Sequence, residues 1–98
     1  MSKNQTQIEE KINEIKRELD GLGIIRPGSI SQQRRKRGGT YHQLSYSHKG
    51  KSHTEYVRPE HVEQLSKEIA DYKKMKELVA LWVELSIEAS RKRREQNM

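Results

Sequence analysis

A run of four consecutive cations, residues 34–37 (RRKR), is the part of this sequence best suited to binding chemistry. Gly38 and Gly39 follow it, and two lysines, Lys49 and Lys51, lie on either side of another glycine. Arginine and lysine bind phosphate oxygens through charge-assisted hydrogen bonds. Glycine-containing turns would present these cations at hairpin tips, where long side chains reach into solvent. The spacing therefore predicts a binding site for a polyanion.

Polar and aromatic side chains are interleaved with these cations along the chain. Gln, Ser and Thr hydrogen-bond to base edges in nucleic-acid grooves, and Tyr binds phosphate or stacks on bases. The predicted nucleic-acid-binding residues are Arg26, Arg34, Arg35, Lys36, Arg37, Tyr41, Gln43, Ser45, Lys49, Lys51, Thr54 and Arg58. Gln32, Gln33 and Tyr46 lie among them in the sequence.

The excess positive charge is confined to the middle of the chain. Residues 21–58 contain eight bases and one acid, Glu55, a net charge of +7. Residues 1–20 carry −1 and residues 59–98 carry 0, so the middle segment accounts for the whole net charge of +6. Such localisation is typical of a polyanion site, whereas an evenly spread excess would only favour solubility. The alternative is a solvated basic loop that has no ligand.

Patterns typical of catalysis and metal binding are absent from the sequence. The chain has no Cys, which excludes disulfides, thiolate catalysis and cysteine-based zinc sites. His42 and His53 could face each other on neighbouring strands, but Glu55 is the only carboxylate nearby, which makes a poor ligand set. No phosphate-binding loop and no nucleophile motif is present. We therefore expect no enzymatic activity, no metal site and no cofactor.

Local patterns predict an α+β fold with an N-terminal helix, a small three-stranded antiparallel β-meander and a long C-terminal helix. The first helix is predicted over residues 7–20, with Thr6 and Glu9 as its capping box. Its apolar residues recur at steps of four and three, which is typical of a coiled-coil-like seam. They are Ile8, Ile12, Ile15, Leu19 and Leu22.

The meander is predicted over residues 29–57, with strands at about residues 29–35, 40–47 and 51–57. The second strand alternates two sets of side chains, which must lie on opposite faces. The sets are Thr40, His42, Leu44 and Tyr46 on one face, and Tyr41, Gln43, Ser45 and Ser47 on the other. A sheet this small and this polar is not stable alone, so we expect it to pack against a helix.

The long helix is predicted over residues 59–94, beginning at Pro59. Between residues 78 and 87 it is apolar on more than one face, and an exposed apolar patch usually marks an association surface. The predicted oligomer or partner interface consists of Leu78, Leu81, Trp82, Val83 and Leu85. The alternative is an intramolecular seam filled by the apolar stripe of the first helix. We expect residues 1–98 to form one domain.

Four short motifs stand out: RPGSIS at residues 26–31, YHQLSY at 41–46, GK at 50–51 and YVRP at 56–59. Together they resemble the pattern of a family of small prokaryotic proteins of unknown function, and the resemblance spans about residues 22–90. Its members often occur near mobile genetic elements and often carry a Cys-containing loop between the first two strands. This chain has RRKRGG there instead, so the resemblance implies no metal site. The order of three strands and a helix is also similar to the arm-binding domains of tyrosine integrases, which lay the sheet in the major groove.

These observations favour a non-enzymatic protein that binds double-stranded DNA through a basic β-ribbon and forms a homodimer through the long helix. A ribbon of two or three strands fits the major groove of B-DNA. One alternative is an accessory subunit of a mobile-element or nuclease nucleoprotein complex, and another is RNA binding. Because no apolar run is long enough to span a bilayer and no secretory signal is visible, we expect a cytoplasmic protein without membrane contact, located on the nucleoid if it binds DNA.

Overall fold

The computed structural model describes residues 4–96. The elements are α1 (Gln5–Asp20), β1 (Ser29–Arg34), β2 (Thr40–His48), β3 (Lys51–Val57), a 3-10 helix (Pro59–His61) and α2 (Val62–Gln96). The strands form one antiparallel sheet in the order β1-β2-β3. The predicted α+β fold, with an N-terminal helix, a three-stranded meander and a long C-terminal helix, is confirmed.

The capping box of α1 lies two residues before its predicted position. The Asn4 side chain accepts a hydrogen bond from the Gln7 backbone N–H at 2.8 Å, and the Asn4 backbone N–H donates to the Gln7 side chain at 3.2 Å. The prediction of Thr6 and Glu9 was therefore wrong. Asn is at least as good an N-cap as Thr, and the earlier start satisfies the same orphan N–H groups while adding residues to the helix.

The described residues divide into two compact units. The helical unit contains residues 4–22 and 74–96, and the sheet unit contains residues 23–73. α2 supplies residues to both units. The interpretation of the chain as one domain stays a prediction. Within residues 4–96, no helix has the length and apolar character needed to cross a membrane.

In the helical unit, α1 and α2 pack through a seam of heptad-like spacing. Its buried residues are Ile8, Ile15, Leu78 and Leu85, and the partly buried residues packed on them are Ile12, Leu19, Trp82 and Ala89. Each helix contributes four residues at steps of four, three and four, which is the spacing that keeps one face towards a partner helix. The intramolecular seam that the sequence left open as an alternative is therefore present.

In the sheet unit, one face of the sheet packs on the start of α2. The buried residues there are Leu44, Val57 and Ile69, and Ile30, Tyr46, Val62 and Leu65 pack around them. The register sets Leu44 opposite both Ile30 and Glu55, so these three side chains share one face. We call this the inner face. Its alternation along β2 is the one predicted from the sequence.

Gly28 brings the segment before β1 against the sheet. Its φ is +132°, and a Cβ added there would lie 2.8 Å from the Ser45 carbonyl oxygen and 3.0 Å from Leu44. Only glycine fits such an approach without strain. Two hydrogen bonds tie the same segment to α2, from the Arg26 N–H to the Glu68 carbonyl at 3.1 Å and from the Gly23 N–H to the Asp71 carboxylate at 3.2 Å.

Tight turns fix the two ends of β3. Lys49 and Gly50 both have positive φ, 52° and 78°, as a two-residue hairpin turn of type I′ requires. After β3, Pro59 opens a 3-10 helix, in which the His61 N–H donates to the Arg58 carbonyl at 2.9 Å. The α-helix proper therefore begins at Val62 and not at residue 59.

Candidate nucleic-acid interface

The face of the sheet opposite the inner face carries no acidic side chain, no basic side chain and no aliphatic side chain. We call it the outer face. From the pairing register it consists of Ser29, Ser31 and Gln33 of β1, Tyr41, Gln43, Ser45 and Ser47 of β2, and Ser52, Thr54 and Tyr56 of β3. The structure thus brings four of the predicted contact residues, Tyr41, Gln43, Ser45 and Thr54, onto one surface.

Most polar groups at the centre of the outer face keep their hydrogen-bonding capacity. Gln43 pairs with Ser31 on one side and Tyr56 on the other, and Ser45 pairs with Thr54. Among residues 4–96, the side chains of Gln43, Ser45 and Thr54 make no hydrogen bond to other side chains or to the backbone, whereas Gln33 donates to the Ser31 hydroxyl at 3.0 Å. Free amide and hydroxyl groups held by a strand ladder can read base edges.

An aromatic pair lies on the outer face beside the first hairpin tip. The rings of Tyr41 and Tyr56 have centroids 6.1 Å apart and an interplanar angle of 32°. The Arg35 guanidinium carbon lies 5.3 Å from the centroid of the Tyr41 ring, a cation–π contact that joins the tip to the face. Tyr56 is 58% exposed, whereas the other three tyrosines and Trp82 are half-buried.

The cations of the site lie at the two ends of the sheet. Arg34 is the last residue of β1, Arg35 to Arg37 lie in the β1–β2 connection, and Arg58 directly follows β3 at that same end. Lys49 lies in the β2–β3 turn at the other end, and Lys51 is the first residue of β3. The register pairs Arg34 with Thr40 and Lys51 with His48, so the predicted contact residues Arg34 and Lys51 lie on the inner side of the sheet ends and not on the outer face. None of these seven cations has an ion-pair partner among the described residues. Both ends of the polar face are therefore flanked by uncompensated positive charge.

Arg26 does not belong to this surface, contrary to the prediction. Its guanidinium donates to the Glu55 carboxylate at 2.6 Å and lies 4.8 Å from the centroid of the Tyr46 ring. Glu55 and Tyr46 belong to the inner face, so Arg26 compensates the only acid of residues 21–58 instead of facing a ligand. Tyr46 and Gln32 also lie on the inner side, with Gln32 donating to the Thr40 hydroxyl at 3.2 Å.

A crevice lies between β3 and the start of α2 in the sheet unit. Arg26, Glu55, Arg58, His61 and Glu68 line it together with apolar residues. Its carboxylates are Glu55, which is paired with Arg26, and Glu68, and an unpaired carboxylate repels a phosphate at short range. The crevice shares Tyr56 and Arg58 with the candidate interface.

The histidines form no cluster with other ligands. His42 pairs with Val57 and His53 pairs with Tyr46, so the two histidines do not lie opposite each other. The His53 ring stacks on the Tyr46 ring at 4.9 Å. Residues 4–96 contain no group of three or more His, Cys, Asp or Glu side chains able to hold a metal ion.

The predicted interface residues of α2 do not share one surface. Leu78 and Leu85 are buried against α1, and Trp82 packs on the same seam beneath the Lys16 ammonium, 5.4 Å from its ring centroid. Leu81 and Val83 are exposed, but at about 100° per residue they lie roughly 160° apart around the helix. α1 therefore covers Leu78, Trp82 and Leu85, three of the five residues that the sequence pattern assigned to a partner.

Two features were missed at the sequence level. Tyr56 follows Thr54 by two residues in β3, so the alternation already placed both on one face. A second stripe on α2, Val79, Val83 and Ile87, is exposed at 39%, 52% and 48% and lies along a surface groove that Arg91 and Arg94 also line. Its spacing of four residues could have separated it from the seam at 78, 82, 85 and 89.

Residues 5–67 match the family model described as "Domain of unknown function (DUF6788)". The chain belongs to this family. The match covers α1, the whole sheet and the first residues of α2, so it begins earlier and ends earlier than the resemblance over residues 22–90. The prediction of a family of unknown function is confirmed. No curated protein and no solved structure matches the chain.

Proposed function

We propose that the protein is a non-enzymatic nucleic-acid-binding protein that binds double-stranded DNA through the outer face of its sheet and the cations at both ends. The observation that carries this proposal is the segregation of charge between the two faces. The only acid of residues 21–58, Glu55, lies on the inner face and is paired with Arg26. A polyanion approaching the outer face therefore meets cations and neutral polar groups only.

The dimensions of the sheet suit a groove. β2 has nine residues, so at about 3.3 Å per residue its ends are roughly 26 Å apart. The major groove of B-DNA is about 12 Å wide. A sheet whose centre lies in the groove would hold its ends over the phosphates of the two bordering strands, with the hydroxyl and amide groups facing base edges between them.

The uncompensated cations give an estimate of the salt dependence. Seven cations that are unpaired among the described residues lie at the two ends of the sheet, five of them outside the strands, and side chains of this kind do not all bind phosphate at once. If four to six phosphates are neutralised per protomer, log K should fall with log salt at a slope of about −4 to −5. A protein that binds nucleic acid through a few neutral contacts would give a slope close to zero.

A binding series at several salt concentrations tests the proposal. The ligands are one duplex DNA, its separate strands and an RNA duplex of the same sequence, measured by fluorescence anisotropy. We expect the duplex DNA to bind most tightly, with the slope given above. A flat salt response, or binding to none of the ligands, would contradict nucleic-acid binding, and tighter binding to the RNA duplex would replace DNA by RNA as the ligand.

The proposal includes a homodimer formed through α2. The stripe of Val79, Val83 and Ile87 is an exposed apolar surface on a helix whose other apolar face is already covered by α1. A second copy on this stripe would bury it and double the number of phosphate contacts. We expect sedimentation as a dimer at micromolar concentration and as a monomer for Val83→Lys, with Glu84→Lys as the control. A wild-type monomer would contradict self-association and favour the accessory-subunit alternative, in which a larger protein covers the stripe.

A further inference from the structure

Tyr56 is an exposed aromatic ring with support on one side. Its neighbour Tyr41 lies diagonally across the β2–β3 pair, since the register sets Tyr56 opposite Gln43. Tyr41 is half-buried and in contact with the Arg35 guanidinium, which fixes its ring from the side of the hairpin tip. Within residues 4–96, Tyr41 is the only ring in contact with Tyr56, and Tyr56 is 58% exposed.

Tyr46 on the inner face is a tyrosine of the same sheet whose ring packs against other side chains. Tyr46 has the Arg26 guanidinium 4.8 Å from its ring centroid and the His53 ring stacked at 4.9 Å with an interplanar angle of 19°. It also packs on the cluster of Leu44, Val57 and Ile69. Tyr56 has no comparable partners, and folding alone does not require an aromatic ring at that position.

We propose that Tyr56 is a stacking platform for one unpaired nucleobase, with the Gln43 amide and the Thr54 hydroxyl beside it to bind the edge of that base. This inference rests on the proposed function and makes it more specific. The preferred ligand is a duplex with an unpaired nucleotide next to it, such as a short single-stranded overhang.

The chemistry of a stacked duplex supports this choice of ligand. Inside a duplex both faces of each base are covered by neighbouring bases, so an aromatic ring that enters the groove meets only base edges and sugar-phosphate. A ring can stack only on a base at a helix end, in a single strand or flipped out of the duplex. Gln43 and Thr54 flank Tyr56, as cross-strand partner and as i−2 neighbour on the same face, and their side-chain polar groups are free among the described residues.

Two cations near Tyr56 could bind the phosphates of such a nucleotide and of its neighbours. Arg35 belongs to the tip beside the aromatic pair, and Arg58 follows β3 two residues after Tyr56. Neither has an ion-pair partner among residues 4–96. A base stacked on Tyr56 would therefore have phosphate-binding side chains within one or two nucleotides on its strand.

The test compares a blunt duplex with the same duplex carrying a three-nucleotide overhang that contains 2-aminopurine, whose fluorescence is quenched on stacking. We expect the overhang to raise the affinity by roughly 5- to 150-fold, the range that one base stacked on an aromatic ring contributes, and its 2-aminopurine fluorescence to be quenched on binding. The variants are Tyr56→Phe, which keeps the ring, and Tyr56→Thr, which removes it from a strand position that Thr also favours. His53→Thr removes a ring from the opposite face of β3 and is the matched control.

The gain in affinity and the quenching should persist in Tyr56→Phe and His53→Thr and disappear in Tyr56→Thr. Equal affinity for the overhang and blunt ligands would overturn the stacking inference. If that equal affinity still depended on salt concentration, the proposed function would stand. Loss of the gain in Tyr56→Phe would also overturn it, because the hydroxyl and not the ring would then be responsible. Absence of binding to every ligand would overturn both proposals.

Discussion

The two faces of the three-stranded sheet are built from the same strands but differ in burial, charge and side-chain type. On the inner face, Leu44 is 1% exposed, the one acid is paired with Arg26, and Tyr46 is covered on its ring. On the outer face there is no aliphatic residue and no charge, and Tyr56 is 58% exposed. Alternate residues of a single strand therefore lie in two different environments, one packed against α2 and one open to solvent.

This difference separates what folding requires from what it does not. Burial of the inner face supplies the stability of the sheet unit, because a small sheet needs an apolar partner to be stable. Cross-strand pairs on an open polar face contribute only about 0.2–1 kcal/mol each. The composition of the outer face is therefore little constrained by folding, and the proposed function explains its polar residues and the uncompensated cations at its ends as a binding surface.

The largest expected effect is the difference in stability between substitutions at two neighbouring residues of β2, one on each face. Leu44→Ala should lower the free energy of unfolding by about 2–5 kcal/mol, since it leaves a cavity in the cluster with Val57 and Ile69. Ser45→Ala, one residue further on the outer face, should change it by less than about 0.5 kcal/mol. Urea unfolding followed by circular dichroism measures both, and equal losses would break the distinction between the faces.

An intermediate effect is expected for Gln43 at the centre of the outer face. Its side chain is held in direction by the ladder to Ser31 and Tyr56, so it can discriminate between bases. Gln43→Ala should weaken binding to a duplex enriched from a random library by about 1–3 kcal/mol and binding to random duplex much less. If selection enriches no motif, the outer face binds by phosphate contacts and DNA form alone.

The smallest expected effect is at the β2–β3 turn, where one substitution should raise stability and weaken DNA binding. Lys49 has φ 52°, which costs a lysine some free energy and suits asparagine well. Lys49→Asn should raise the free energy of unfolding by about 0.5–1 kcal/mol and still reduce the salt slope by about 1, because one phosphate contact is lost. Lys49→Gln, the control, removes the same charge without the preference of asparagine for positive φ, so it should reduce the slope equally and leave stability unchanged. An unchanged slope in both variants would remove this turn from the interface.

The alternation of β2 and β3 and the hairpin turns could be predicted because each depends on local sequence. Period-two spacing assigned Leu44 to one face and Gln43 to the other, and Gly50 marked the turn. Arg26 was misplaced because its partner, Glu55, is 29 residues away, and sequence alone does not show which of eight cations meets a lone acid. Tyr56 was missed although the same alternation pointed to it.

The helical unit shows the same limit. The heptad spacing of α1 predicted a seam, and the sequence left open whether its partner was α2, where Leu78, Trp82 and Leu85 repeat that spacing. Burial of α1 against them uses one apolar face of α2 and leaves Val79, Val83 and Ile87 exposed. The number of apolar residues in α2 indicated more apolar surface than α1 could cover. It did not indicate which stripe of α2 would stay exposed.

The most direct test compares two clusters of four cations that have the same charge and different positions. Arg34, Arg35, Lys36 and Arg37 lie at the end of the sheet, and Arg91, Lys92, Arg93 and Arg94 lie near the end of α2. Each cluster is replaced by four glutamines, and the affinity for one duplex DNA is measured against salt concentration. Both variants lower the net charge equally. We predict that the sheet variant loses up to about 4 from the magnitude of the slope and that the helix variant keeps the wild-type slope. Equal loss in both variants, or a larger loss in the helix variant, would contradict binding through the outer face and its flanking cations.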